Sequence, residues 1–230
     1  MGPDHPRRED PVLKSAMRAL ILYAHPEPTS FCGAMKEVAR DALRGQGWDV
    51  EISDLYAEKF DPVAGRHDFI GVADPARFHY QTEQLHAAAH SGFAPDLARE
   101  QARFRAADLV VVIFPLWWGG PPAILKGWFD RAMACGFAYV DGARFDKGLH
   151  KGKTGLIGVS TGGTPQRFSE GDVYGPIGPI LAPIRRLALD YMGMSTPEPF
   201  VAYATPRVDQ ATRERYLGEW REAVLAATRR

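Results

Sequence analysis

The sequence has no excess of charge in either direction: 28 Lys and Arg stand against 28 Asp and Glu in 230 residues. Such a balance lacks the broad positive field of a nucleic-acid-binding or anionic-membrane surface, although a local basic patch stays open. No apolar run reaches the roughly 20 residues that cross a bilayer. Only two cysteines occur, Cys32 and Cys135, in no CxxC pair and at no metal-ligand spacing with histidine. That favours two small buried thiols over a disulfide or a metal centre. The opening stretch MGPDHPRREDPVLKS has charges and prolines but no apolar core, so it does not read as a signal peptide. Residues 1–17 are expected to form a flexible tail and 18–230 a single domain, with the cytoplasm as the default compartment. GxGxxG and GxxxxGK[ST] are both missing, so neither a nicotinamide-binding Rossmann site nor a P-loop is indicated.

What is present is an alternation of strands and helices. RALILY (18–23) is a short apolar run that reads as a buried strand. Phe31, Met35, Val38, Ala42 and Leu43 then recur at helical spacing, and Gly45 and Gly47 stop that helix. WDVEISDLY (48–56) alternates as a second strand, which completes a βαβ unit. Residues 57–107 are long for one crossover. They hold helical patches near 82–90 and 95–105 and are expected to be an insertion with local or dimer-contact roles. DLVVVIF (108–114) is the clearest central strand, followed by a helix over 121–135. TGLIGVS (154–160) is the fourth strand, with a helix over 177–191 after it. A fifth strand is expected over 195–203, and a last helix starts near Asp209. Apolar strands alternating with helices imply α/β architecture: a parallel sheet covered on both faces. Ligands of such sheets bind beyond the carboxyl ends of the strands.

Three loops leave that edge. HPEPTSF (25–31) precedes a helix N-terminus, where free N–H groups and the hydroxyls of Thr29 and Ser30 suit a phosphate. Taken alone, the same residues read better as a simple helix cap. PLWWGGP (115–121) sets Trp117 and Trp118 beside two glycines. Aromatics supply a flat wall and glycines allow close backbone approach, although the tryptophans would also simply cover the sheet end. STGGT (160–164) offers glycines and hydroxyls, which alone describe no more than a turn.

In these segments the chain resembles the mammalian NAD(P)H:quinone oxidoreductases (DT-diaphorases) and their bacterial flavodoxin-like relatives. The resemblance rests on AHPEPTSF with AMKE, GWDVEISDLYAEKFDP, ADLVVVIFPLWW with PPAILKGWFDR, GFAY, DKG and STGG, and spans about residues 18–222. It implies a flavodoxin-like three-layer sandwich with five parallel strands in the order 2-1-3-4-5. It also implies a homodimer with one FAD per subunit, FMN being the lesser alternative, and active sites at the subunit boundary.

Carried over by position, His25, Thr29, Ser30, Phe31, Cys32 and Ala34 line the pyrophosphate and ribose, with Cys32 replacing an asparagine. Pro115, Leu116, Trp117 and Trp118 match the isoalloxazine wall, and Gly119 replaces an aromatic residue there. Ser160, Thr161, Gly162 and Gly163 match the loop at the pyrimidine side of the ring. His79, Asp130, Arg213 and Leu217 match peripheral FAD contacts. Tyr139 and Tyr191 match substrate-cavity aromatics, Tyr139 facing across the dimer. Phe168 and Tyr174 stand where the mammalian enzymes carry a tyrosine and a histidine. Phe168 cannot donate a hydrogen bond, whereas Tyr174 can.

The implied activity is two-electron transfer from NAD(P)H, through flavin N5, to a quinone. Backbone donors of Trp117–Trp118 and Gly162–Gly163, with Tyr174, would support charge on the ring. Two rival readings share the fold: an ancillary subunit of a glutathione-gated potassium efflux system, and an azo- or nitro-reductase. No metal, nucleic acid or membrane insertion is expected.

Overall fold

A computed structural model describes residues 16–229. The tail expected over 1–17 therefore lies almost wholly outside the described residues. A five-stranded parallel sheet runs in the order β2-β1-β3-β4-β5, as expected. Its strands are β1 Arg18–Tyr23, β2 Asp49–Asp54, β3 Leu109–Pro115, β4 Thr154–Ser160 and β5 Phe200–Ala202. β3 is buried along its whole length, which its run of β-branched residues suits. Successive residues of β1 and β3 feed opposite cores. Leu20, Leu22, Val110 and Val112 face one cluster, with Leu97, Phe104, Trp128 and Leu181. Ile21, Val111 and Ile113 face the other, with Met35, Leu43, Trp220 and Val224.

Helices α1 Phe31–Gly45 and α6 Gln210–Ala227 cover the second face. Ser30 caps α1 by accepting the Gly33 N–H at 3.1 Å. Gly47 follows its end at φ +78°, a conformation that favours glycine. Asp209 caps α6 in the same way, accepting from Thr212 N–H at 2.9 Å. The first face carries α3 Pro95–Ala106, α4 Ala123–Ala132 and α5 Ile177–Ile184, with α2 Tyr80–His90 beside them.

Within 57–107, α3 is the crossover helix from β2 to β3, and residues 57–94 with α2 form the extra stretch. A buried ion pair fastens that stretch to α4: Arg131 meets Asp68 at 2.7 Å, with both side chains essentially inaccessible. β2 and α4 stop short of the expected 48–56 and 121–135, and two elements depart further. The fifth strand shrinks to three residues, with one isolated parallel bridge from Ser195 to Thr154. Pro197 and Pro199 lack the N–H groups that a longer ladder needs. The helix expected over 177–191 changes at Arg185 into a wider π-helical turn through Asp190. Pro183 lies just ahead and removes an N–H from the regular ladder.

Candidate functional site

The loops after β1, β3, β4 and β5 open on one edge of the sheet and enclose two adjoining cavities. The first, about 710 Å³, is bordered by the start of α1, the β3 and β4 loops, and α6. The second, about 740 Å³, shares Leu116, Thr161 and Gly162 with it and continues to Trp118, Phe168 and Tyr174.

At the first turn of α1, the N–H groups of Phe31 and Cys32 have no intrahelical acceptor. They carry the positive end of the helix dipole. Thr29 spends its N–H and hydroxyl on Glu27 Oε1, at 2.9 and 2.7 Å, so it shapes the loop rather than offering a free hydroxyl. His25 Nδ1 accepts the Glu27 N–H at 3.0 Å. Nε2 is then the nitrogen that can donate. Burial lowers the His25 pKa, so the ring is neutral at pH 7. Arg213 Nε donates to Thr205 O at 3.1 Å, which holds a cation beside this end of the cleft.

Residues 117–120 form a tight hairpin. Trp117 N–H bonds Gly120 O at 2.9 Å, and Gly120 N–H returns to Trp117 O at 3.0 Å. Trp118 and Gly119, the two central residues, have φ +50° and +72°. Positive φ at both positions matches the type I′ turn that tight hairpins favour. The turn consumes the Trp117 N–H, which corrects the expectation that both tryptophans offer backbone donors. The N–H groups of Trp118 and Gly119 have no acceptor among the described residues. The Trp118 indole is fully exposed at the tip.

In the β4 loop the acceptors are used and the donors are left. Thr161 O takes Thr205 N–H at 3.0 Å, and Gly163 O takes Ala204 N–H at 2.9 Å and the Thr161 hydroxyl at 2.8 Å. Gly162 O takes Arg207 Nη1. The N–H groups of Gly162 and Gly163 have no partner among the described residues. Phe168 packs against Tyr174 with the rings tilted by 40° and their centroids 5.1 Å apart. A Cβ on Gly163 would come within 2.7 Å of the Phe168 ring. In the floor, Cys32 Sγ lies 3.0 Å from Ser160 Oγ, and burial pushes the thiol pKa up to about 11.

Most of the expected residues therefore converge: His25, Thr29 to Cys32, Ala34, Pro115 to Gly119, Ser160 to Gly163, Phe168, Tyr174, Arg213 and Leu217. Four do not. His79 caps α2, its ring nitrogen 2.9 Å from the Thr82 hydroxyl. Asp130, Tyr139 and Tyr191 border a separate apolar cavity of about 360 Å³. There Tyr139 and Tyr191 meet edge to face at 5.8 Å. Sequence reasoning missed Thr205, Pro206 and Arg207, which close the cleft from the β5–α6 loop, and Gln210 at the start of α6.

This sheet order, with a cleft beyond the strand ends, defines a flavodoxin-like protein. The family described as flavodoxin-like fold matches residues 17–224. NAD(P)H dehydrogenase [quinone] 1 of Cavia porcellus is 42% identical over 89% of this chain and 75% of its own length. Ribosyldihydronicotinamide dehydrogenase [quinone] of Homo sapiens is 38% identical over 88% of each chain. A solved structure from Klebsiella pneumoniae, provisionally called a quinone reductase, superposes with TM-score 0.88 at 33% identity, covering 92% of this chain and 85% of that one. The chain belongs to the NAD(P)H:quinone oxidoreductase family.

Proposed function

We propose that the protein is a flavin-dependent NAD(P)H:quinone oxidoreductase with FAD as its flavin. The observation that carries this reading is the donor set of the cleft. Among the described residues, unpaired N–H groups of Phe31, Cys32, Trp118, Gly119, Gly162 and Gly163 border a groove that also holds Arg213 and Arg207 and no carboxylate. In a charge-balanced chain that arrangement suits an anionic, flat, acceptor-rich molecule.

The α1 N-terminus, Ser30, His25 Nε2 and Arg213 would hold phosphates. The Trp118–Gly119 and Gly162–Gly163 amides would orient the polar edge of a ring. FAD is favoured over FMN because the cleft continues past the helix N-terminus to Gln210, Arg213 and Leu217, which gives a second nucleoside a wall. A bound flavin would supply the two-electron chemistry that side chains lack. Fixed amide donors would favour negative charge on that edge without reorganising. Trp118, Phe168 and Tyr174 would form the walls that position a flat substrate and exclude water. The Tyr174 hydroxyl, with no hydrogen-bond partner among the described residues, would be the side-chain donor there.

The same reading pairs two chains, with the apolar cavity at Tyr139 and Tyr191 meeting the cleft of a second copy. It places the protein in the cytoplasm. No helix among the described residues is long and apolar enough to cross a membrane. The test is to release the bound chromophore from purified protein by heat and identify it chromatographically. FAD supports the reading, FMN corrects the cofactor, and a protein that takes up neither flavin contradicts it.

A further inference from the structure

The aromatic half of the cleft contains a cation that the reading above counts in the groove's charge but gives no ligand group to hold. Arg207 lies on the loop between β5 and α6 and borders the second cavity with Trp118, Phe168 and Tyr174. Its Nη1 donates to Gly162 O, and the guanidinium makes no other hydrogen bond and no ion pair among the described residues. A guanidinium carries five N–H donors. One contact therefore anchors the group, and the rest of its donors and its charge face the open cleft, where Arg207 is exposed. The cavity has no acidic residue in its lining to neutralise it. Arg103, by contrast, meets Glu51, Glu58 and Glu100. An exposed cation beside a wall of aromatic rings favours a ligand with both a flat ring and an anionic group.

Quinone and nicotinamide rings carry no anion at the reacting end. The anionic part of a reducing pyridine nucleotide is its phosphate. We propose that Arg207 anchors a phosphate of the nicotinamide donor, so that phosphate-bearing donors are preferred over the nucleoside, ribosyldihydronicotinamide. This rests on the quinone-reductase reading and specifies its donor. The comparison is pointed, because one relative is named for the phosphate-free donor and another for NAD(P)H.

The experiment uses flavin-loaded wild type, Arg207→Gln, Arg207→Lys and, as a charge-matched control, Arg221→Gln. Arg221 is exposed on α6, outside the cleft, and pairs with Glu222. Steady-state turnover with menadione is measured for NADPH, NADH, dihydronicotinamide mononucleotide and dihydronicotinamide riboside. In Arg207→Gln, kcat/KM for phosphate-bearing donors relative to the riboside falls about tenfold, which is about 1.4 kcal/mol. Arg207→Lys retains part of that ratio and the control retains all of it. Binding of NADP+ to the oxidised protein, measured by calorimetry, weakens by a similar factor in Arg207→Gln.

The pattern identifies which phosphate is held. A loss confined to NADPH assigns the 2′-phosphate, and one shared with NADH but not the mononucleotide assigns the pyrophosphate as a unit. One that includes the mononucleotide assigns the phosphate nearest the nicotinamide. An unchanged ratio overturns the proposal. So does an equal loss for all four donors, since Arg207 would then act on the ring through Gly162. If the wild type turns over none of the donors, the parent reading fails, and the NADP+ titration still decides the role of Arg207.

Discussion

Cys32 Sγ and Ser160 Oγ lie 3.0 Å apart and join the first turn of α1 to the end of β4 beneath the cleft. Burial raises the Cys32 thiol from 9.0 to about 11, and burial likewise raises Tyr23 from 10.0 to about 12. Both groups hold their protons more tightly folded than unfolded. Unfolding therefore releases protons at alkaline pH, and stability falls as pH rises. The expected result is a melting temperature that declines from about pH 9 upward, with Tyr23 adding to the slope above pH 10. In Cys32→Ala the first part of that decline flattens. A melting temperature independent of pH between 8 and 11 would sink this account. The same burial keeps Cys32 unreactive, so iodoacetamide at pH 8 should label its peptide only after unfolding.

Trp118 pairs backbone strain with complete exposure, since its φ is +50° and its indole buries nothing. A non-glycine residue in this region costs about 1–2 kcal/mol. Trp118→Gly relieves that strain, so its stability should equal or exceed that of the wild type by up to about 1 kcal/mol. Quinone reduction should fall at the same time, because the ring wall is gone. Denaturant unfolding alongside steady-state kinetics checks both halves. A destabilised variant with full activity would show that Trp118 serves the fold.

Gly163 lies under the Phe168–Tyr174 pair. In Gly163→Ala the new Cβ would sit 2.7 Å from Phe168 Cε2 and 3.1 Å from Tyr174 Cε2. Both rings are partly exposed and can swing away, so the stability cost should stay below about 1 kcal/mol, under the usual overpacking range. The wall beside the Gly162–Gly163 amides is displaced, and turnover should drop about tenfold, or about 1.4 kcal/mol of activation free energy. Wild-type turnover would show that the position of this pair does not matter.

Arg131 carries the opposite kind of prediction. Its guanidinium meets buried Asp68 at 2.7 Å and Asp96 at 3.2 Å. Arg131→Ala leaves the Asp68 charge without its cation and should cost about 3–5 kcal/mol, read by urea unfolding. A cost under about 1 kcal/mol would mean the extra stretch before α3 is held by other contacts.

The strands and helices were legible because the apolar runs are long and two of the helix starts carry a side-chain cap near their apolar pattern, Ser30 for α1 and Asp209 for α6. β5 was overestimated because the apolar pattern of 195–203 says nothing about the ladder N–H groups that Pro197 and Pro199 remove. The cleft was legible where motifs are local, as in PLWW and STGG. Arg207 and Thr205 escaped because they reach the site through the β5–α6 loop, which has no glycine signature, and Gln210 because it only opens α6. The approach of Arg207 to Gly162 is a tertiary fact across 45 residues of sequence. Tyr139 and Tyr191 lie together but apart from the cleft, and nothing in one chain joins the two.

The most direct test of the central claim is an anaerobic titration of the purified, flavin-loaded protein, followed by its visible absorbance. Stoichiometric NADPH or NADH should bleach the flavin band, and one equivalent of quinone should restore it. A flavin that stays oxidised with both nucleotides, or a bleached one that quinone leaves unchanged, would contradict the account.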